Sequence, residues 1–291
     1  MKFRAIMTDK VHIRELLNIV TTLSRINRNI IINVQPSKLV LQIETDAETG
    51  QCLWGEIDAA EREGFFSEYV MDGIDDQYNQ IYLTVGATNL VRALSWHHSI
   101  DYLKLKLEKT DMVYLAVELT GVLHNVEVFM CPKVNHQIPV TVVPRSEWKH
   151  FNLPQTVKYD LTTTLPSLKS LRALMEKKKH LSPAVTVYAT DAGELSLVVE
   201  TDIVTVGSHY KGLQSSWCAG HPPSGNGDSS PPLTDAACRV DSKKLSTILE
   251  SINCCDLKMV ANIKHERLLN IRFEIKHNVF MSFILPAVGF D

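Results

Sequence analysis

Residues 2–43 read KFRAIM-TDK-VHIRELLNIVTTLSRI-NRN-IIINV-QPSK-LVLQI, and each block has its own period. Lys2 to Met7 interleaves charged and apolar residues, as a half-buried strand does. From about Val11 to Ile26, Ile13, Leu16, Leu17, Val20 and Leu23 recur at helical spacing and give an amphipathic helix. Ile30 to Val34 and Leu39 to Ile43 are strand-like, and Gln35-Pro36-Ser37-Lys38 between them reads as a tight hairpin because proline suits the second turn position. Cys52 to Ile57 completes a unit of one strand, one helix and three strands.

The same order returns three times, starting near Ile81, Tyr159 and Val240. Unit two has Ile81 to Val85, a helix from about Thr88 to His98, then Tyr102 to Leu107, Val113 to Leu119 and Val126 to Met130. Unit three has Tyr159 to Thr164, a helix from about Pro166 to Leu181 with proline in its first turn, and strands Val185 to Ala189, Leu195 to Glu200 and Ile203 to Tyr210. Gly193 supplies positive φ in the turn between the first two of these strands. Unit four has Cys238 to Asp241, a helix from about Ser242 to Ile252, then Leu257 to Ile263, Leu269 to Ile275 and Val279 to Ile284. Phe65 to Met71 is a further strand between units one and two. Repeats of this kind bury their faces against one another and build a larger assembly, not a single cleft.

Two stretches break the pattern. Between Cys131 and Val157, Pro132, Pro139, Pro144 and Pro154 interrupt any helix or central strand, so the segment reads as an extended connector on a surface. Residues 212–235, dense in Gly, Pro, Ser and Asp, read as a disordered insert. The expected architecture is α+β: similar domains at 1–131 and 158–291, each with two helices, joined by a connector at 132–157.

Composition excludes more than it selects. The 291 residues are 45% apolar and 22% charged, with a net charge of −3 that gives no global sign of a nucleic-acid partner. The start of the chain has no secretory h-region and no apolar run is long enough to span a bilayer, so a soluble, intracellular protein is expected, with no membrane partner. The six cysteines lack C-x-x-C spacing and read as reduced thiols. His97 and His98 diverge by about 100° if helical, and Gly225-Asn226-Gly227 has no strand-turn-helix context. G-x-S-x-G and H-E-x-x-H are both missing. No catalytic residue, cofactor or metal is expected.

Charge is informative locally. Opposite their apolar faces the helices carry Arg14 and Arg25 with Asn18 and Thr22 between them, then Arg92, then Lys169 and Lys177 with Arg172, Lys178 and Lys179 nearby, and finally Lys243 beside Lys244. Basic charge thus gathers on the helical layer of an otherwise acidic chain, a footprint suited to a phosphate backbone without base readout.

The doubled two-helix plan with its proline-punctuated connector resembles the sliding DNA clamps typified by proliferating cell nuclear antigen. More narrowly, Met1-Lys2-Phe3-Arg4-Ala5, Ile81-Tyr82-Leu83, Asn89 to Leu94, His136 to Val140, Val143-Pro144-Arg145, Trp148-Lys149 and Phe283 to Ala287 resemble the Hus-one family of checkpoint clamp subunits. The resemblance implies a non-catalytic member of a heterotrimeric ring, beside Rad-nine-like and Rad-one-like subunits. Such a ring is placed by a clamp loader around double-stranded DNA at damage sites and recruits checkpoint and repair proteins. It implies helices lining the hole, antiparallel sheets outside, and a nuclear location with a cytoplasmic pool allowed. Arg14, Arg25, Arg92, Lys169, Arg172, Lys177 and Lys243 would face DNA. Subunits would join through Asn125, Val126, Val128 and Met130 on one edge and Ile203, Thr205, Gly207 and His209 on the other. The connector residues Ile138, Val140, Val142 and Val143 would receive clients or else cover the chain's own core. A homotrimeric replicative clamp and an enzyme with a site between domains are the alternatives.

Overall fold

The computed structural model describes residues 1–43, 51–59, 64–95, 99–122, 133–153, 157–219, 234–253, 257–276 and 279–289. The first half runs β1 (Lys2–Met7), α1 (Lys10–Ser24), β2 (Asn29–Val34), β3 (Lys38–Gln42), β4 (Cys52–Asp58), β5 (Glu68–Asp72), β6 (Ile81–Gly86), α2 (Ala87–Leu94), β7 (Ser99–Lys109), β8 (Val113–Val122) and β9 (Lys133–Val142). The second half repeats it as β10 (Leu161–Thr164), α3 (Leu168–Lys178), β11 (Ala184–Ala189), β12 (Leu195–Glu200), β13 (Thr205–Tyr210), β14 (Ser215–Trp217), β15 (Ala236–Asp241), α4 (Ser242–Ser251), β16 (Lys258–Lys264), β17 (Leu268–Lys276) and β18 (Val279–Pro286). The α+β reading holds, with every strand pair antiparallel.

Side-chain caps set three helix starts: Asp9 accepts from the Val11 amide at 2.7 Å, Asp241 from Lys244 at 2.8 Å and Ser167 from Ser170 at 3.4 Å. Pro166 therefore lies outside α3, before its cap, not inside the first turn. The apolar faces of the helices and the inward residues of the sheets share one continuous core across both halves. Within it α1 packs beside α2 and α3 beside α4. Thr22, read from the sequence as lying between the exposed arginines of α1, is fully buried.

The halves are joined in two ways. Val279 to Ile284 of β18 pair with Ile57 to Cys52 of β4, so one sheet runs from β14 in the second half to β5 in the first. On the helical side, Arg25 of the first half reaches the C-terminus of α4, where Arg172 of the second half also binds. Arg172 on α3 donates from Nε to the Leu249 carbonyl at 2.6 Å and from Nη2 to Ile252. Arg25, just past α1, donates to the Ser251 carbonyl at 2.9 Å and more weakly to Glu250 at 3.4 Å. Cations at the negative end of a helix satisfy carbonyls that have no intrahelical partner.

Two sequence expectations need correction. Residues 133–142, read within a proline-broken connector, form β9, which pairs with β8 through Lys133 to Pro139 and with β6 through Val140 to Val142. Pro139 sits where the strand changes partner, a place where a missing donor is tolerated. The chain after β9 then crosses the outer sheet face as a 3₁₀ segment, Arg145–Phe151. Second, Ser215–Trp217, read within a disordered insert, pairs with β10 and buries Trp217. The strand expected at Val126 to Met130, Trp96 to His98, and 220–233 of the insert fall outside the described residues.

Phe283 is fully buried and meets Phe273 edge to face at 5.2 Å. Phe283→Ala is expected to cost about 3–5 kcal/mol in equilibrium urea unfolding. Arg172→Met is expected to cost about 1–3 kcal/mol, more than Arg25→Met, because Arg172 is the less exposed partner of the α4 carbonyls.

Candidate nucleic-acid and subunit interface

Several cations of the strands and loops are paired with carboxylates. Lys38 pairs with Glu56 at 2.8 Å, Lys104 with Glu118 at 2.9 Å, Lys106 with Glu108 at 2.9 Å, Lys211 with Glu194 at 2.9 Å and Lys264 with Asp160 at 2.6 Å. The helices differ. Arg14 on α1, Arg92 on α2, Lys169 and Lys177 on α3 and Lys243 on α4 lie at the surface, and no carboxylate pairs with them among the described residues. These five keep their charge available to solvent.

Lys10 pairs with Asp101 and Lys244 has no carboxylate partner among the described residues, while the remaining basic helix residues are committed. Arg25 and Arg172 cap α4. Lys179 lies between Glu176 at 2.6 Å and Glu250 at 3.0 Å, and its hydrogen bond to Glu176 pushes its pKa up. Glu250 is held below the usual carboxylate range, first by the Ser246 hydroxyl at 2.6 Å and then by Lys179. Lys178, grouped by the sequence with the exposed cations of α3, is 1% exposed. Its Nζ donates to the Val206 carbonyl at 2.6 Å, and burial pushes its pKa down. Sequence counting could not separate these cases, because all project from the same helices.

The internal repeat marks a second feature. β4 is bonded by β3 on one side and by β18 on the other. β13 holds the same place in the second half, yet among the described residues only β12 bonds it. β9 holds the place of β18, with β8 along one side of Lys133 to Pro139 and, among the described residues, no strand along the other. One joint of the β4–β18 kind is closed inside the chain, and its two equivalents stay open. On β13, Thr205, Gly207 and His209 are exposed, with His209 Nδ1 2.7 Å from the Ser196 hydroxyl. Ile203, expected within this strand, instead tips the hairpin before it and is 96% exposed. Asn125, Val126, Val128 and Met130 are outside the described residues. The strand that offers the matching edge is β9, whose period-two pattern at Val134, His136, Ile138, Val140 and Val142 is present in the sequence but masked by its proline.

Ile138 and Val140 are buried in the main core and Val143 in a satellite cluster with Ile31 and Tyr82, while Val142 is half-buried against the core. These side chains cover the chain's own interior. What crosses the outer face is the segment beyond them. Trp148 packs 4.9 Å from Tyr82 and donates to the Val143 carbonyl at 3.0 Å, and Gln42 donates to the Phe151 carbonyl at 2.7 Å. Beside it lies a cleft of about 290 Å³ lined by Trp54, Val157, Tyr159, Arg272 and Phe280. Among the described residues no group of three or more His, Cys, Asp or Glu could hold a metal, and no helix is long and apolar enough to cross a membrane.

The comparisons agree with this geometry. The solved proliferating cell nuclear antigen of Entamoeba histolytica superimposes with a TM-score of 0.70 at 13% identity, covering 99% of both chains. That of Thermococcus kodakaraensis gives 0.67 at 14% identity, covering 98% of this chain and 99% of the other. The fold is therefore the sliding-clamp fold. Among curated proteins, human checkpoint protein HUS1 is 29% identical over 99% of this chain and 100% of its own length. The Drosophila melanogaster checkpoint protein Hus1-like is 27% identical over 99% of each. The profile of the Hus1-like protein family matches residues 1–289, and the chain belongs to that family.

Proposed function

We propose that this chain is a non-catalytic subunit of a ring-shaped checkpoint clamp, acting in the nucleus around DNA at damage sites. The observation that carries the reading is the closed β4–β18 joint set against the open edges of β13 and β9. A chain with one such joint inside and its two halves exposed at either end is built to be continued by like chains, head to tail. In this reading the neighbours are a Rad-nine-like and a Rad-one-like subunit. A clamp loader sets the ring in place, and the outer face recruits checkpoint and repair proteins.

The unpaired cations of the helices support the inner face. Arg14, Arg92, Lys169, Lys177 and Lys243 make a sparse positive surface without base-reading groups, which suits sliding contact with phosphates. Arg25 and Arg172 serve the frame of the ring in this proposal, not the duplex. Clients would meet the strap around Trp148 and the cleft beside it, since Ile138 and Val140 are already covered.

Two measurements test these faces. Arg14→Ala, Lys169→Ala and Lys177→Ala together, in the assembled ring, are expected to weaken duplex binding about tenfold or more at low salt. The slope of log K against log salt should fall by up to about 3, close to 0.9 for each phosphate left without its cation. An unchanged slope removes these residues from the DNA face. Ile203→Asp, at a site with no folding role, should leave the melting temperature within about 2 °C. It should weaken association with one partner subunit at least about tenfold by calorimetry. Unaltered association, or a stable homotrimer of this chain alone, counts against the heterotrimeric ring.

A further inference from the structure

The buried Lys178 stands out because the DNA-facing reading does not use it and because removing an ammonium group from water is costly. Its Nζ donates to the Val206 carbonyl, near the start of β13. At the other end of the same strand, the Tyr210 hydroxyl lies 3.1 Å from the Ser170 hydroxyl, near the start of α3. The two ties match in spacing. Ser170 to Lys178 is eight residues of helix, about 12 Å. Val206 to Tyr210 is four residues of strand, about 13 Å. α3 thus lies alongside β13 in the opposite direction and is tied to it at both ends.

The first half makes the equivalent approach by close packing. There Gly55 of β4 lies against α1 so closely that an added Cβ would stand 2.9 Å from Ile19 Cγ2. β4 is also held by hydrogen-bonded strands on both sides. β13 lacks the second strand among the described residues, and it is this strand that carries the polar ties. An unsupported edge frays and twists, which spoils it as a template for a further strand.

We infer that Lys178 and Ser170 are positioning residues that brace the open edge of β13, so that a neighbouring subunit's strand adds to a preformed template. This rests on the reading of β13 as a subunit edge. Unlike the half-buried Arg172, Lys178 is fully buried, so Lys178→Met removes the cost of burying an ammonium together with its hydrogen bond. The two effects oppose each other, and fold and brace can be separated.

The test uses full-length Lys178→Met. Its melting temperature is expected to stay close to wild type. In the isolated chain, amide exchange across Val206 to Tyr210 should quicken at least about tenfold while that of β11 is unaltered. Binding to the partner subunit that Ile203→Asp weakens should drop at least about fivefold. Should Lys178→Met fail to fold, Tyr210→Phe releases the far tie without touching the buried amine, and the same two readouts apply. Unchanged exchange overturns the brace, and faster exchange with unchanged association overturns its role in assembly. If Ile203→Asp itself leaves association intact, the subunit-edge reading falls first and this inference falls with it.

Discussion

Backbone amides and carbonyls in a strand must find partners, and the arrangement of this molecule follows from where they do. In the middle of the chain the demand is met by β18 lying on β4, with Val279 opposite Ile57 and Ile284 opposite Cys52. That ladder makes two halves into one wall and fixes their relative tilt. Arg25 secures the same junction from the helical side through the C-terminal carbonyls of α4. Because the halves are copies, the ladder also defines what its unmet counterparts look like, and β13 and β9 match that description.

Which cations find a carboxylate follows local geometry. A strand presents alternate residues to each face, so a lysine on the outer face readily meets a carboxylate across the ladder, as Lys104 meets Glu118. The solvent-facing stripe of a helix offers such neighbours only three or four residues away. Lys169 and Lys177 have none there, whereas Lys179 finds Glu176. The acidic total of −3 therefore conceals a helical surface that stays positive.

Much of the fold was legible because its periods are clean. All four helices and most of the strands lie where alternation or helical spacing puts them, with ends displaced by a few residues. β9 was obscured by Pro139, whose lack of a donor signals breakage in isolation and is harmless where a strand changes partner. β14 was obscured by the Gly- and Ser-rich sequence around it, although Trp217 was the residue to trust. At the candidate site, Arg14 and Lys169 could be picked from spacing alone. The commitments of Arg25, Arg172 and Lys178 could not, because their partners are main-chain carbonyls some thirty to more than two hundred residues away, and carbonyls leave no trace in a sequence.

The hairpin tip carries a further implication. An isoleucine almost wholly in water, next to a strand with vacant hydrogen-bonding positions, is the surface that seeds sheet-to-sheet clumping when molecules crowd together. In the proposed ring, solubility would depend on stoichiometry: copies made in excess of their companions would display the sticky tip, and copies made in step would hide it. Dosage balance among the subunits would then be a requirement imposed by a single side chain.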